Sequence, residues 1–327
     1  MIYYGSSKMK SLPNTLKLVL VTGGAGYIGS VLIPELLKLG YGVRVLDNLT
    51  YGGNGMIANF SNPNFEFMIG DTRDLGTVKK ALEGVNAIIH LAALVGFPLC
   101  RKKPRDAEEV NHLATVQLNK LRKKNQLLIF ASTGSNYGHI PSGYCTEKTP
   151  LNPISIYGKT KTAAERAISK SPNVIIYRFA TAFGISPRLR LDLLINDFTY
   201  QALRKKSLIV YDKNYKRTFI HVRDIARSLI FALENSDKMV GETYNIGDES
   251  LNSDKEHIVN ILKKKVNFIL HYVKIDKGDE DQRNYWVDYS KIKSLGFKTQ
   301  VSLEQGIDEM LKAFKVIDLE NPYSNVD

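Results

Sequence analysis

Apolar residues in this chain come in short runs whose period alternates. Leu18 to Val21 is a continuous apolar stretch of strand length. Ile28 to Leu39 spaces its apolar residues at helical intervals, despite Pro34, and stops at Gly40. Val43 to Leu46 is again a strand, closing on Asp47. The alternation continues with strands at Phe65–Ile69, Ala87–His90, Leu127–Ala131 and Val174–Phe179. Helices are predicted between them, over Asp74–Leu82, Pro104–Lys124 and Ser155–Ser169. Strands alternating with helices of this length predict an α/β fold, a Rossmann-type doubly wound parallel sheet with right-handed crossovers.

The rhythm breaks after Ser186. A helix is expected over Arg188–Leu203, short strands around Ile209 and Phe219, and a helix over Val222–Leu233. "GETYNIG" (Gly241–Gly247) reads as a strand, and Asp254–Lys265 and Leu303–Phe314 as helices. The expected organisation is a leader over 1–17, a dinucleotide-binding domain over 18–186 with 218–248, and a smaller C-terminal substrate-binding lobe over 187–217 with 249–327.

Composition narrows the class. The 327 residues are 43% hydrophobic and 24% charged, enough apolar material for a core without staples. Cys100 and Cys145 are the only cysteines, so no disulfide framework is implied. No run approaches the roughly eighteen apolar residues of a membrane span. The expectation is a cytoplasmic protein with no membrane partner. The net charge of +12 invites a nucleic-acid reading. The cations are scattered, however, and clusters such as Arg122-Lys123-Lys124 fall at helix ends, where they complement the dipole. A basic solvated surface, or a field for an anionic small molecule, is preferred to nucleic acid.

Chemistry enters at the first turn. Gly23, Gly26 and Gly29 follow a strand and open a helix. Glycine lets backbone approach a pyrophosphate, and a helix start offers unpaired N–H groups. Asp47 ends the next strand, where a carboxylate accepts from ribose hydroxyls and repels a 2′-phosphate, favouring NAD over NADP. Arg44 is expected to pair with an acidic neighbour, and Asp71 either to cap a turn or to reach adenine. Farther on, Tyr157 and Lys161 stand one helical turn apart. A free phenol titrates near pKa ~10 and is a poor base at neutral pH. A nearby ammonium favours the phenolate. "IFASTGSNYG" places Ser132, Thr133 and Ser135 after the fifth strand, where a hydroxyl can hold a substrate oxygen.

Together these residues resemble the extended short-chain dehydrogenase/reductase family, and within it the NAD-dependent nucleotide-sugar epimerases and dehydratases. The resemblance runs through "VTGGAGYIGS", "GDTRD", "IIHLAAL", "YGKTK", "RFATAFG", "RTFIHVRDIA" and "YNIG". It implies Thr133, Tyr157 and Lys161 as catalytic residues. NAD would lie against the glycines with Tyr27 and Ile28, against Asp47, Asn48, Asp71 and Thr72, and against Leu91, Ala92 and Ala93. Asn111, Ser132, Tyr157 and Lys161 complete that set. A nucleotide-diphosphate sugar would meet Thr133, Ser135, Arg188, Arg217 and Arg283. No metal is implied. A homodimer is, through a four-helix bundle of Pro104–Lys124 and Ser155–Ser169. The 4,6-dehydratases of the family follow the active-site threonine with Asp-Glu; Gly134-Ser135 stands here and disfavours dehydration. Thr181 replaces an asparagine frequent in the family. The expected activity is epimerisation through a transient 4-keto sugar. A 4-dehydrogenase or reductase, and a catalytically silent NAD-binding sensor or scaffold, are the alternatives.

Overall fold

Alternating residues of each apolar strand end up on opposite faces of one sheet. A computed structural model describes residues 18–138, 140, 143–274 and 285–317; the leader and Arg283 lie outside them. The strands are β1 (Leu18–Thr22), β2 (Gly42–Asp47), β3 (Phe65–Ile69), β4 (Ala87–His90), β5 (Leu127–Thr133), β6 (Tyr144–Cys145) and β7 (Val174–Phe179). Then follow β8 (Thr181–Phe183), β9 (Ser207–Tyr211), β10 (Lys216–His221), β11 (Thr243–Ile246), β12 (Asn252–Asp254), β13 (Ile269–Val273) and β14 (Trp286–Val287). Seven of them form a sheet in the order β11-β7-β5-β4-β1-β2-β3, parallel throughout.

The helices are α1 (Gly29–Lys38), α2 (Leu75–Ala81), α3 (Phe97–Lys102), α4 (Pro104–Glu108), α5 (Ala114–Leu121) and α6 (Ile156–Ile168). They continue with α7 (Leu194–Tyr200), α8 (Val222–Glu234), α9 (Ser236–Met239), α10 (Lys255–Lys263), α11 (Ser290–Ser294) and α12 (Leu303–Val316). Val19, Val21, Val43 and Ile89 pack with Leu32, Ile33 and Leu36 of α1 and with Ile225 and Leu229 of α8. Leu20, Ile88, Leu128 and Phe130 pack on the other face with Val78, Leu118, Ala164 and Ile168. Both faces are thus covered, as a parallel sheet requires. A separate core gathers Phe183, Phe198, Leu208, Phe219, Ile258, Ile307 and Phe314 from the later elements. β1 lies between β2 and β4, so the chain leaves it in opposite directions and opens a crevice at the carboxyl edge.

Three local expectations change. The helix expected over Pro104–Lys124 is interrupted by a π turn at Glu109–Leu113 and ends at Leu121. Arg122 is extended there and turned inward, donating to Gln126 O at 2.6 Å and Pro172 O at 2.5 Å, so this cation is a buried clamp. The helix expected from Arg188 begins only at Leu194. The preceding segment is held open by Asn196, which accepts from Gly184 N at 2.9 Å and donates to Arg190 O at 2.9 Å. Arg44 pairs with Glu66 at 2.6 Å, as its strand position suggested.

A polar cluster under the carboxyl edge fixes α6. Glu165 is 4% exposed and accepts from Ser132 Oγ at 2.6 Å and Asn136 Nδ2 at 2.8 Å. Arg178 of β7 donates to it at 2.5 and 3.0 Å. Removing one partner of a buried pair leaves the other unpaired, at a cost of about 3–5 kcal/mol. We therefore expect Glu165→Ala to lower unfolding free energy by about that amount in urea titration.

Candidate active site

The glycine turn closes against the end of β4. Gly23 has φ +69°, and a Cβ there would lie 2.6 Å from Ala92 N, so only glycine lets the two loops meet. At Gly26 an added Cβ would meet only Gly23 O, at 3.1 Å. The N-terminus of α1 has no side-chain cap; Ser30 N and Val31 N donate to Gly26 O and Ile28 O at 3.0 and 3.1 Å, and the positive end of the helix favours an anion there. Asp47 accepts from Ala25 N at 3.0 Å and Leu49 N at 2.8 Å, which aims its carboxylate across the turn. Burial pushes the Asp47 carboxyl above its ordinary pKa, opposed by those two N–H bonds and by the Arg188 guanidinium.

One cavity is lined by this turn. Gly23, Gly26, Tyr27, Ile28 and Gly29 form one wall. Asp47, Asn48, Asp71 and Thr72 form another, and Leu91, Ala92 and Ala93 a third. Asp71 also caps its own turn, accepting from Arg73 N at 2.9 Å, and the Arg73 guanidinium holds it near pKa 2. Two of the expected residues take other positions. Asn111 does not line the cavity; it accepts from Leu94 N at 2.7 Å and donates to Thr160 Oγ1 at 3.2 Å, bracing the β4 exit from beneath. Arg188, expected at the substrate, lies instead in this cavity. It is 5% exposed, 4.1 Å over the Tyr51 ring, with its Nε unpartnered. An unsatisfied buried donor beside a glycine turn and a ribose-type carboxylate fits a dinucleotide's adenosine half.

A second cavity adjoins the first. Ile28, Leu91, Ala93, Val95, Ala182 and Arg190 line both, so the two form one cleft. The second is lined by Ser132, Thr133, Ser135, Tyr157, Lys161 and Arg217. Ser155 caps α6 by accepting from Gly158 N at 3.0 Å, which puts Tyr157 in the first turn and Lys161 in the second. Gly158 allows this approach: a Cβ there would stand 3.0 Å from Ser135 O. Thr133 accepts from Ser135 N at 3.1 Å and donates to Ser135 Oγ at 3.1 Å, presenting a hydroxyl pair. Lys161 is 1% exposed, its Nζ 4.0 Å over the Phe130 ring. Burial lowers its pKa to about 7, and Glu165 opposes the fall. Cys100 and Cys145 are buried thiols, each pushed up to about 12 by burial, and neither lines the cleft.

Sequence reasoning missed Arg190 and Asp192. Arg190 pairs with Asp192 at 2.5 Å, and the two side chains are 13% and 12% exposed. Placed in an expected helix, they offered no signal; the inserted arginine between two apolar leucines was the only hint. Tyr285 also lines the second cavity, its hydroxyl donating to Gly134 O. No helix among the described residues is long and apolar enough to cross a membrane.

Comparison with known proteins agrees with this geometry. The model of the NAD dependent epimerase/dehydratase family matches residues 19–247. A putative UDP-glucose 4-epimerase of Methanocaldococcus jannaschii is 29% identical over 309 residues, covering 91% of this chain and 98% of that protein. The dTDP-glucose 4,6-dehydratase of Streptomyces venezuelae, solved with NAD, is 30% identical with a TM-score of 0.81, covering 91% and 97% of the two chains. The UDP-glucuronic acid 4-epimerase of Bacillus cereus, solved with UDP-glucuronic acid and NAD, is 27% identical with a TM-score of 0.82, covering 91% and 99%.

Lys161 yields a stability test. An unfolded lysine titrates near pKa ~10.4, and the folded one near 7. Between these values the unfolded chain binds more protons, so this group's destabilisation is full below about pH 7 and fades as pH rises toward 10. Lys161→Met is expected to raise urea stability at neutral pH by about 1 kcal/mol or more, with the gain shrinking at alkaline pH.

Proposed function

The chain belongs to the NAD dependent epimerase/dehydratase family, and from that premise we propose that it is a nucleotide-sugar 4-epimerase using NAD. One observation carries the reading. Among the described residues, the cavity holding Thr133, Tyr157 and Lys161 is lined by no carboxylate. Elimination of water needs an acid and a base of its own; reversible oxidation needs one proton acceptor that returns the proton.

The chain's own residues divide the work. Gly23, Gly26 and the α1 N-terminus receive the cofactor pyrophosphate, and Asp47 the adenosine ribose. NAD, when bound, supplies the hydride acceptor. Tyr157 takes the proton from the carbon-4 hydroxyl and later gives it back. Thr133 and Ser135 hold the sugar oxygen beside the phenol. Lys161, on the same helix face, favours the phenolate and reaches toward the nicotinamide ribose. Arg217 is 8% exposed at the far wall and is a fork for the substrate diphosphate. The elements built around the later core, 187–217 with 249–317, form the substrate side. The 4-keto sugar turns in the cleft and is reduced on its other face.

The chain is read as a homodimer. Pro104–Leu121 and α6 supply the paired helices, and Leu113 is 46% exposed on the first of them. Sedimentation at micromolar concentration is expected to give twice the chain mass.

Incubation with a panel of nucleotide sugars, followed by product NMR and NADH absorbance, tests the activity. Inversion at carbon 4 without net NADH is expected; steady NADH accumulation would instead mark a dehydrogenase. Tyr157→Phe is expected to keep NAD bound and to lose about 10²–10⁴ in turnover.

A further inference from the structure

The lysine one turn along is not the best-placed permanent charge for the phenol. Lys161 sits in a dry site against Phe130 and Glu165, where burial brings its pKa to about 7. Burial there disfavours its charged form. Arg190 reaches the same cavity from the segment that follows β8. It lines both halves of the cleft, and Tyr157 interacts with it electrostatically. Its guanidinium is held by Asp192 through two contacts, at 2.5 and 3.2 Å. The pair is seated against the Gly96 turn, where a Cβ would stand 4.0 Å from both Arg190 Nη2 and Asp192 Oδ2. A guanidinium cannot be deprotonated in a protein, so this charge persists where an ammonium falters.

We propose that Arg190, set by Asp192, is a positioning residue that holds Tyr157 acidic, and that the Arg190–Asp192 pair tunes the working pH of the site. The inference rests on reading Tyr157 as the proton acceptor.

The charged and titratable groups around Tyr157 divide by element. Lys161, with Glu165 behind it, belongs to α6. Arg190 and Asp192 come from the stretch before α7. Lys216 and Arg217 line the cavity from β10, and the Tyr285 phenol from the residue just before β14. Of the three cations on loops and strands facing the cavity, Arg190 alone also lines the half of the cleft built on the glycine turn. It therefore stands where the cofactor and the sugar must meet. An anion paired to it weakens its field at the phenol. That gives the proposal a sign: losing the cation raises the Tyr157 pKa, and losing the anion lowers it.

The test is an ultraviolet titration of phenolate in the NAD-loaded protein, with the Tyr157→Phe curve subtracted to isolate residue 157. Arg190→Met is expected to raise the midpoint by about one pH unit, and Asp192→Asn to lower it. Arg190→Lys is expected to raise it by less than Arg190→Met does, because a buried ammonium holds its charge less firmly than a guanidinium. Should Arg190→Met fold poorly or lose NAD, the Asp192→Asn and Arg190→Lys titrations decide. Unchanged midpoints, or movement of Arg190→Met and Asp192→Asn in the same direction, would overturn the proposal. Where a nucleotide sugar is turned over, the acid limb of the pH–kcat profile is expected to move with the midpoint. Shifted midpoints without turnover of any sugar would support the Arg190 role and sink the epimerase reading alone.

Discussion

The site depends on one buried carboxylate. Apolar packing of a helix on a parallel sheet is strong but not directional, and it tolerates small rotations and slides. Glu165 removes that freedom. It takes hydrogen bonds from Ser132 at the end of β5, from Asn136 in the following turn and from Arg178 in β7. Arg178 in turn donates to the Tyr137 hydroxyl at 3.0 Å, and Tyr137 to Asn245 of β11 at 2.6 Å. Three neighbouring strands are thereby tied to one side chain of α6. The Tyr157 and Lys161 side chains leave that same helix, so their place above the sheet edge follows from a polar network beneath it. Glu165, Arg178 and the Tyr137 hydroxyl are all engaged within it, and a connected buried network of this kind favours one geometry.

The charge distribution has the same logic. A net charge of +12 says nothing by itself about a partner. Within the cleft it becomes specific: Lys161, Arg188, Arg190, Lys216 and Arg217 all line its walls. Asp47 and Asp71 stand only on the half built around the glycine turn, where ribose and adenine are expected. The other half is lined by two lysines and two arginines, Lys161, Lys216, Arg190 and Arg217, a field that suits an anionic ligand.

The central sheet was legible because its strands are buried on both faces. Runs such as Leu18–Val21 and Val174–Phe179 are apolar without interruption, and the helices between them show a single apolar face. The glycine turn and the Tyr157/Lys161 pair were legible because their spacing is itself the chemistry. What stayed hidden has a common cause. Arg122, Glu165 and Arg178 are charged residues that the sequence pattern assigns to solvent, yet each is buried with partners from distant strands. Arg188 and Arg190 fell within an apparent helix because Leu191, Leu194, Ile195 and Phe198 carry helical spacing, although Leu189, Leu191 and Leu193 alternate with charged residues before it. Tertiary bonds from Asn196 and Ser186 to the Tyr27 loop and to the segment itself override that local preference. Asn111, assigned to the cofactor by resemblance, lies buried in the π turn and is bonded to Leu94.

Among the described residues no acid lines the second cavity, which bears on the 4-epimerase proposal. At Gly134 a Cβ would meet Phe179 O at 3.5 Å and the Tyr285 hydroxyl at 3.8 Å. That is ordinary contact, so a larger residue is not excluded by space. Gly134 O accepts from the Tyr285 hydroxyl. The neighbouring Thr133 and Ser135 hydroxyls are paired to each other, and hydroxyls can orient an oxygen without removing water from a sugar. Asp192 is engaged by Arg190. Under the proposed reading Tyr157 carries the proton on this wall, and one group that gives and takes a single proton suits oxidation followed by reduction better than elimination.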